Sequence, residues 1–174
     1  MNLAWHFVAL KDGVPTLRDG RPVPPVGEWL EHTGPRVICN SGLHASWRAI
    51  DALEYWPGEG GAVCLVEIDD IGEEHADKLV CNRRRVLAWT PCDYWLRLFS
   101  REAALTRDEF WPMPAIVREW METGNEDLRS AAWSAAWSAA WSAAWSAAES
   151  AAWSDLNALL ESILLGALDW HETP

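Results

Sequence analysis

The sequence is short of positive charge. It holds 14 lysines and arginines against 26 aspartates and glutamates, a formal net charge of −12 over 174 residues. The deficit is uneven: residues 1–118 carry 17 acidic and 13 basic side chains, residues 119–174 carry 9 and 1. A surface of that sign repels phosphate backbones and anionic headgroups, so direct binding of DNA, RNA or a negatively charged membrane is not expected of it. It suits a basic protein surface instead, including one that otherwise holds nucleic acid, and it also serves solubility. Long apolar runs are missing as well. No window of 18 apolar residues occurs, so no membrane-spanning helix is expected. The opening "MNLAWHFVALKDG" lacks the basic start and apolar stretch of a signal peptide.

Cysteine is limited to Cys39, Cys64, Cys81 and Cys92, with no close pair of the kind a zinc knuckle uses. Three lie in apolar, strand-like runs and read as small buried thiols. A reducing, cytoplasmic setting follows as the expectation. There is no P-loop, no GxSxG, no HExxH and no dinucleotide glycine fingerprint. No catalytic residue, metal or cofactor is assigned from motifs.

What is present divides the chain by period. "LAWHFVAL" reads as a strand stopped by "KDG", and "TLRDGRPV" as a hairpin about Asp19-Gly20. "PRVICNSG" reads as a buried strand, and "SWRAIDALEYW" as a helix capped by Ser46. "AVCLVEI" and "KLVCNRRRVLAW" are two further strands. After Pro91 the period becomes helical, with an apolar stripe at Trp95, Leu98, Phe99 and Leu105. "PAIVREWMETG" follows, opened by Pro114 and stopped by Gly124, and Asn125 caps a restart. No proline or glycine interrupts residues 126–165, which read as one long helix or two with a slight break. The expected class is α+β: a small mixed sheet at 1–90, connecting helices at 91–124, and an alanine-serine-tryptophan repeat helix with an amphipathic end at 125–174.

The repeat "SAAW" places Trp133, Trp137, Trp141 and Trp145 four residues apart, and Trp153 continues the series. Four residues advance a helix by about 400°, so the tryptophans form a slowly winding ridge between rows of alanine and serine. Each tryptophan buries on the order of 200 Å². The ridge therefore has to be covered, by the rest of the chain, by a second copy in a homo-oligomer, or by a protein partner. Glu149 takes one tryptophan position and projects near the face of Leu156, Leu159, Leu160, Ile163 and Leu164. Its carboxylate either bends out to solvent, meets an arginine, or serves as an acid in a cleft.

One cluster of basic residues stands out in an acidic chain. His44 sits at a strand-to-helix junction, and Lys78, Arg83, Arg84 and Arg85 lie on one strand segment. Alternation points Arg83 and Arg85 one way, Arg84 and Lys78 the other. An anion such as phosphate could be held by His44 with some of these. The plainer alternative pairs the arginines with neighbouring carboxylates and leaves His44 satisfied at its junction.

"CNSGLHASWRAIDALEYWPG", "DKLVCNRRRVL" and the tryptophan repeats together resemble an uncharacterised family of bacteriophage and prophage proteins, with a C-x-x-G-[FL]-H-A-[SC] motif and alanine-rich repeats. That resemblance carries no activity to transfer. Taken with the acidic tail half and the tryptophan ridge, a phage-type lifestyle leads to the expectation of a non-catalytic accessory protein in the host cytoplasm that binds a host or self macromolecule, with inhibition of a nucleic-acid-handling defence system as one role. A looser likeness, to small ADP-ribosyltransferases, would place His6, Tyr55 and Glu67 or Glu149 around NAD.

Overall fold

The computed structural model describes residues 1–58, 60–105, 113–132, 135 and 149–170. These form a curled antiparallel sheet followed by helices, the α+β arrangement expected. The strands are β1 (Asn2–Lys11), β2 (Val14–Thr16), β3 (Trp29–Glu31), β4 (Leu43–Ala45), β5 (Gly61–Glu74) and β6 (Leu79–Pro91). The helices are α1 (Ala49–Leu53), α2 (Asp93–Leu105), α3 (Ala115–Thr123) and α4 (Glu149–Ala167), with a 3-10 turn at Glu126–Leu128. Two compact units divide the described chain: Met1–Trp95 with the segment from Leu160, and Leu96–Leu159.

In the first unit the sheet order is β2-β1-β5-β6-β3, with β4 also paired to β6. Every strand pair is antiparallel, where the sequence suggested a mixed sheet. Consecutive strands joined by short turns pair this way by default, because a parallel partner needs a long crossover. The β1–β2 turn uses Asp12 and Gly13, both at positive φ (52° and 77°). The hairpin about Asp19-Gly20 forms as read, closed by a bridge between Thr16 and Pro22.

"AVCLV" is continuously apolar because both faces of β5 are covered; Ala62 to Val66 are each no more than 2% exposed. Inside the curl, Ala4 and Val8 of β1 pack with Cys64, Val66 and Ile68 of β5 and Cys81 and Val86 of β6. On the other face Trp5, Phe7, Val63 and Leu65 are buried, and α1 packs against β1. The curl closes through Trp5 and Ser46, whose backbones exchange two hydrogen bonds of 2.8 and 3.0 Å. Ser46 is thus a bridge residue just past β4 and not the expected helix cap. Helix α1 starts three residues later, and its first amide, Ala49 N–H, donates to the Glu161 carboxylate of α4 at 3.1 Å.

"PRVICNSG" is also corrected. It is a tight turn, not a buried strand, held by a Val37–Ser41 bridge, with Cys39 exposed at φ 64°. The three buried thiols are Cys64, Cys81 and Cys92.

In the second unit Gly124, at φ 64°, ends α3 by donating to the Trp120 carbonyl, and the Asn125 side chain accepts from Asp127 N–H. Both caps were readable in sequence. Among the described residues of this unit Met113, Val117 and Ala132 form a buried cluster. Residues 129–132 are helical. The ridge tryptophans Trp133, Trp137, Trp141 and Trp145 lie outside the described residues. Glu149 opens α4 and Trp153 on it is 51% exposed. Further along α4, Leu160 and Leu164 are fully buried in the first unit. Among the described residues no helix is long and apolar enough to cross a membrane.

Candidate functional site

The basic cluster is divided by the pleat of β6. Arg83 and Arg85 share the face opposite the curl's interior. There they flank Trp29 of β3, with guanidinium carbons 4.4 and 4.7 Å from its ring centre. The register explains the meeting, since Trp29 pairs directly with Arg85 and Glu31 with Arg83. Both arginines are also ion-paired: Arg83 to Asp69 at 2.9 Å and Glu31 at 3.2 Å, Arg85 to Glu67 at 2.5 Å. Charge-assisted bonds of this kind fix orientation and leave these two arginines little capacity for an outside anion.

Lys78 lies just before β6, beside Tyr55. Its ammonium donates to the Tyr55 hydroxyl at 2.8 Å, sits 4.8 Å from the ring centre, and approaches Asp77 at 3.5 Å. Tyr55 O–H in turn donates to Asp77. The hydrogen bond from Lys78 to the Tyr55 oxygen, then one to Cys39, raises the lysine's proton affinity. Lys78 is a fixed cation inside a small surface network.

His44 serves the turn that precedes it. Its Nε2 accepts from Cys39 N–H at 3.0 Å, and a hydrogen bond links its ring to the Gly42 backbone. Burial, then the charges of Arg84 and Lys78, holds it neutral to a lower pH than a free imidazole. With Nε2 occupied as acceptor, His44 is a satisfied junction histidine, the plainer of its two readings.

Arg84 points the other way, into the curl, and is 5% exposed. Its Nη1 donates to the His44 carbonyl. A cavity of about 10 Å³ lies beside it, lined by His6, Leu17, Val23, Glu28, Leu30 and Cys64 among others. Burial, then the charges of Arg84 and His44, lowers the His6 pKa well below 6.5. Burial also pushes the Cys64 thiol up to about 12 and Cys81 up to about 11.

The structure therefore brings His44 and Arg84 together, places Lys78 near them, and sends Arg83 and Arg85 to the opposite face. His6, Trp29 and Tyr55 complete these clusters. His6 was readable as an inward residue by its parity with Ala4 and Val8, but Trp29 was not, because its neighbours come from β6. His6 and Glu67 lie on opposite faces of the sheet and do not form one site. The side chain of Glu149 lies outside the described residues. Among the described residues no group of three or more His, Cys, Asp or Glu could hold a metal.

A family model described as a domain of unknown function, DUF7666, matches residues 15–93. The chain contains a DUF7666 domain. The match begins after β1 and ends in the first turn of α2, so it takes in the whole β4–α1–β5–β6 segment with His44, Lys78 and the three arginines. Strand β1, hydrogen-bonded between β2 and β5, lies outside it although the sheet is built around that strand. No curated protein and no solved structure matches the chain.

Proposed function

We propose that this chain is a non-catalytic, phage-type accessory protein that binds another protein through its acidic surface. The partner's contact face is basic, of the kind that otherwise holds nucleic acid, and a host defence enzyme acting on nucleic acid is the class this chemistry points to. The observation that carries the reading is the fate of the positive charge around the DUF7666 domain. Arg21, Arg36, Arg83, Arg85 and Lys78 are each paired to a carboxylate of the same chain. The chain's excess of 26 acidic over 14 basic residues is then left for an outside cation. The alternative, a nucleotide- or phosphate-binding domain using His44 and the Lys78–Arg85 cluster, has less support, because Arg83 and Arg85 are paired and face away from His44. Self-association through the tryptophan repeat is a second mode within the same proposal, and a strictly monomeric mass by light scattering would remove it.

The test is capture by the immobilised full chain from a host lysate, followed by elution in a salt gradient and, separately, in heparin. A partner bound by complementary charge is a basic protein. It is released as the Debye length shrinks from about 10 Å at 0.1 M to about 3 Å at 1 M salt, and heparin displaces it. Retention indifferent to salt and heparin contradicts the proposed contact.

A further inference from the structure

The interior of the curled sheet holds a positive charge that no carboxylate among the described residues pairs with. A guanidinium stays protonated under ordinary conditions. The one hydrogen bond found for Arg84, to the His44 carbonyl, supplies a dipole and no counter-charge. Among the described residues no carboxylate forms an ion pair with it, whereas Arg83 and Arg85 on either side are both paired. The groups around it do not substitute. Cys64 and Cys81 are neutral thiols at pH 7, since burial raises both, and His6 is neutral because burial and Arg84 lower it. Removing an ion from water without a counter-charge costs several kcal/mol, so such groups are normally paired.

The space beside Arg84 answers this need. It measures about 10 Å³, close to the room one water-sized body occupies. Leu17, Val23 and Leu30 wall it with apolar surface, and Arg84 and His6 are the side chains of its lining that carry N–H donors. We propose that this cavity is a binding site for one small anion, chloride or the carboxylate group of a small acid, held by Arg84 and His6 inside the sheet. The apolar wall excludes bulky anions. Glu28 is the carboxylate within the lining that can compete for the guanidinium. This inference concerns the inside of the sheet and does not depend on the partner reading, which concerns its outside.

Thermal unfolding of the full chain tests it at fixed ionic strength, with sodium chloride, sodium acetate or the sodium salt of a bulky sulfonate as the electrolyte. A ligand that binds only the folded state raises the melting temperature with its concentration. The expected result is a saturating rise in chloride or acetate relative to the sulfonate. Leu17→Trp fills the cavity from its apolar wall with Arg84 intact, and circular dichroism checks that this variant folds. The chloride- or acetate-specific rise disappears in it, whereas general salt effects persist. Broadening of the chloride NMR line by the wild type and not by Leu17→Trp gives a direct second readout if chloride is the ion. Equal melting temperatures in all three salts overturn the proposal, and so does an anion effect that survives Leu17→Trp. A wild type without anion dependence, alongside a Glu28→Gln variant that gains it, also overturns it by making Glu28 the counter-charge.

Discussion

Replacing Gly42 with alanine probes the turn that delivers His44 to the sheet. Gly42 has φ 114°, a conformation L-residues rarely adopt. A Cβ there would stand 2.4 Å from Cγ2 of Val80, with the Cys81 carbonyl oxygen at 3.5 Å. Val80 is fully buried and is the register partner of His44, so its stiff, β-branched side chain has little freedom to retreat. Two penalties combine: about 1–2 kcal/mol for the backbone and about 1–3 kcal/mol for overpacking the core. The expected loss is about 2–5 kcal/mol, or a fall in melting temperature of roughly 10 °C for a chain of this size. Gly13→Ala is the control. It has φ 77° with nothing within 4 Å of the added carbon, so it carries the backbone penalty alone. Urea denaturation of the two variants separates the penalties. If Gly42→Ala is no more destabilising than Gly13→Ala, the close packing of this turn on Val80 is refuted.

Three further outcomes follow from burial and hydrogen bonding. Stability falls as pH drops from 7 towards 5, because the folded chain keeps His6 neutral while the unfolded chain takes up a proton near pH 6.5; urea midpoints across this range show the slope, and His6→Gln flattens it, with His44 contributing the remainder in the same direction. Thiol titration of the native protein with a chromogenic disulfide detects Cys39 rapidly, whereas Cys64, Cys81 and Cys92 react only on unfolding; a second fast thiol contradicts the burial assigned to these three. Glu161→Ala leaves Ala49 N–H without its acceptor and lowers stability by about 1 kcal/mol, read as a shift in the urea midpoint against an exposed control on α2 such as Glu102→Ala.

Much of the fold was legible because its signals are local. The apolar runs of β5 and β6, the turn at Asp19-Gly20, the stop at Gly124 and the cap at Asn125 act over a few residues, and each appears where the pattern put it. The alternation that separates Arg84 from Arg83 and Arg85 was legible for the same reason. "PRVICNSG" misled because valine and isoleucine beside a cysteine favour a strand, while the chain there closes on itself between Val37 and Ser41 with His44 hooked to Cys39. Ser46 misled because its capping preference yielded to two backbone bonds with Trp5, residues distant along the chain.

The sequence by itself determined the acidic balance, the position of β1, β5, β6, α2 and α3, and the face of β6 on which each arginine stands. These depend on composition and on periods of two and 3.6 residues, which need no knowledge of neighbours. Only the tertiary structure decided what those arginines meet. Asp69, Glu67 and Glu31 reach Arg83 and Arg85 through the registers of β5 and β3 on β6, and Arg84 is enclosed because β1, β4, β5 and β6 curl around it. Whether a charge is neutralised or left alone depends on which atoms lie within a few ångströms, and those atoms come from strands that only folding brings together.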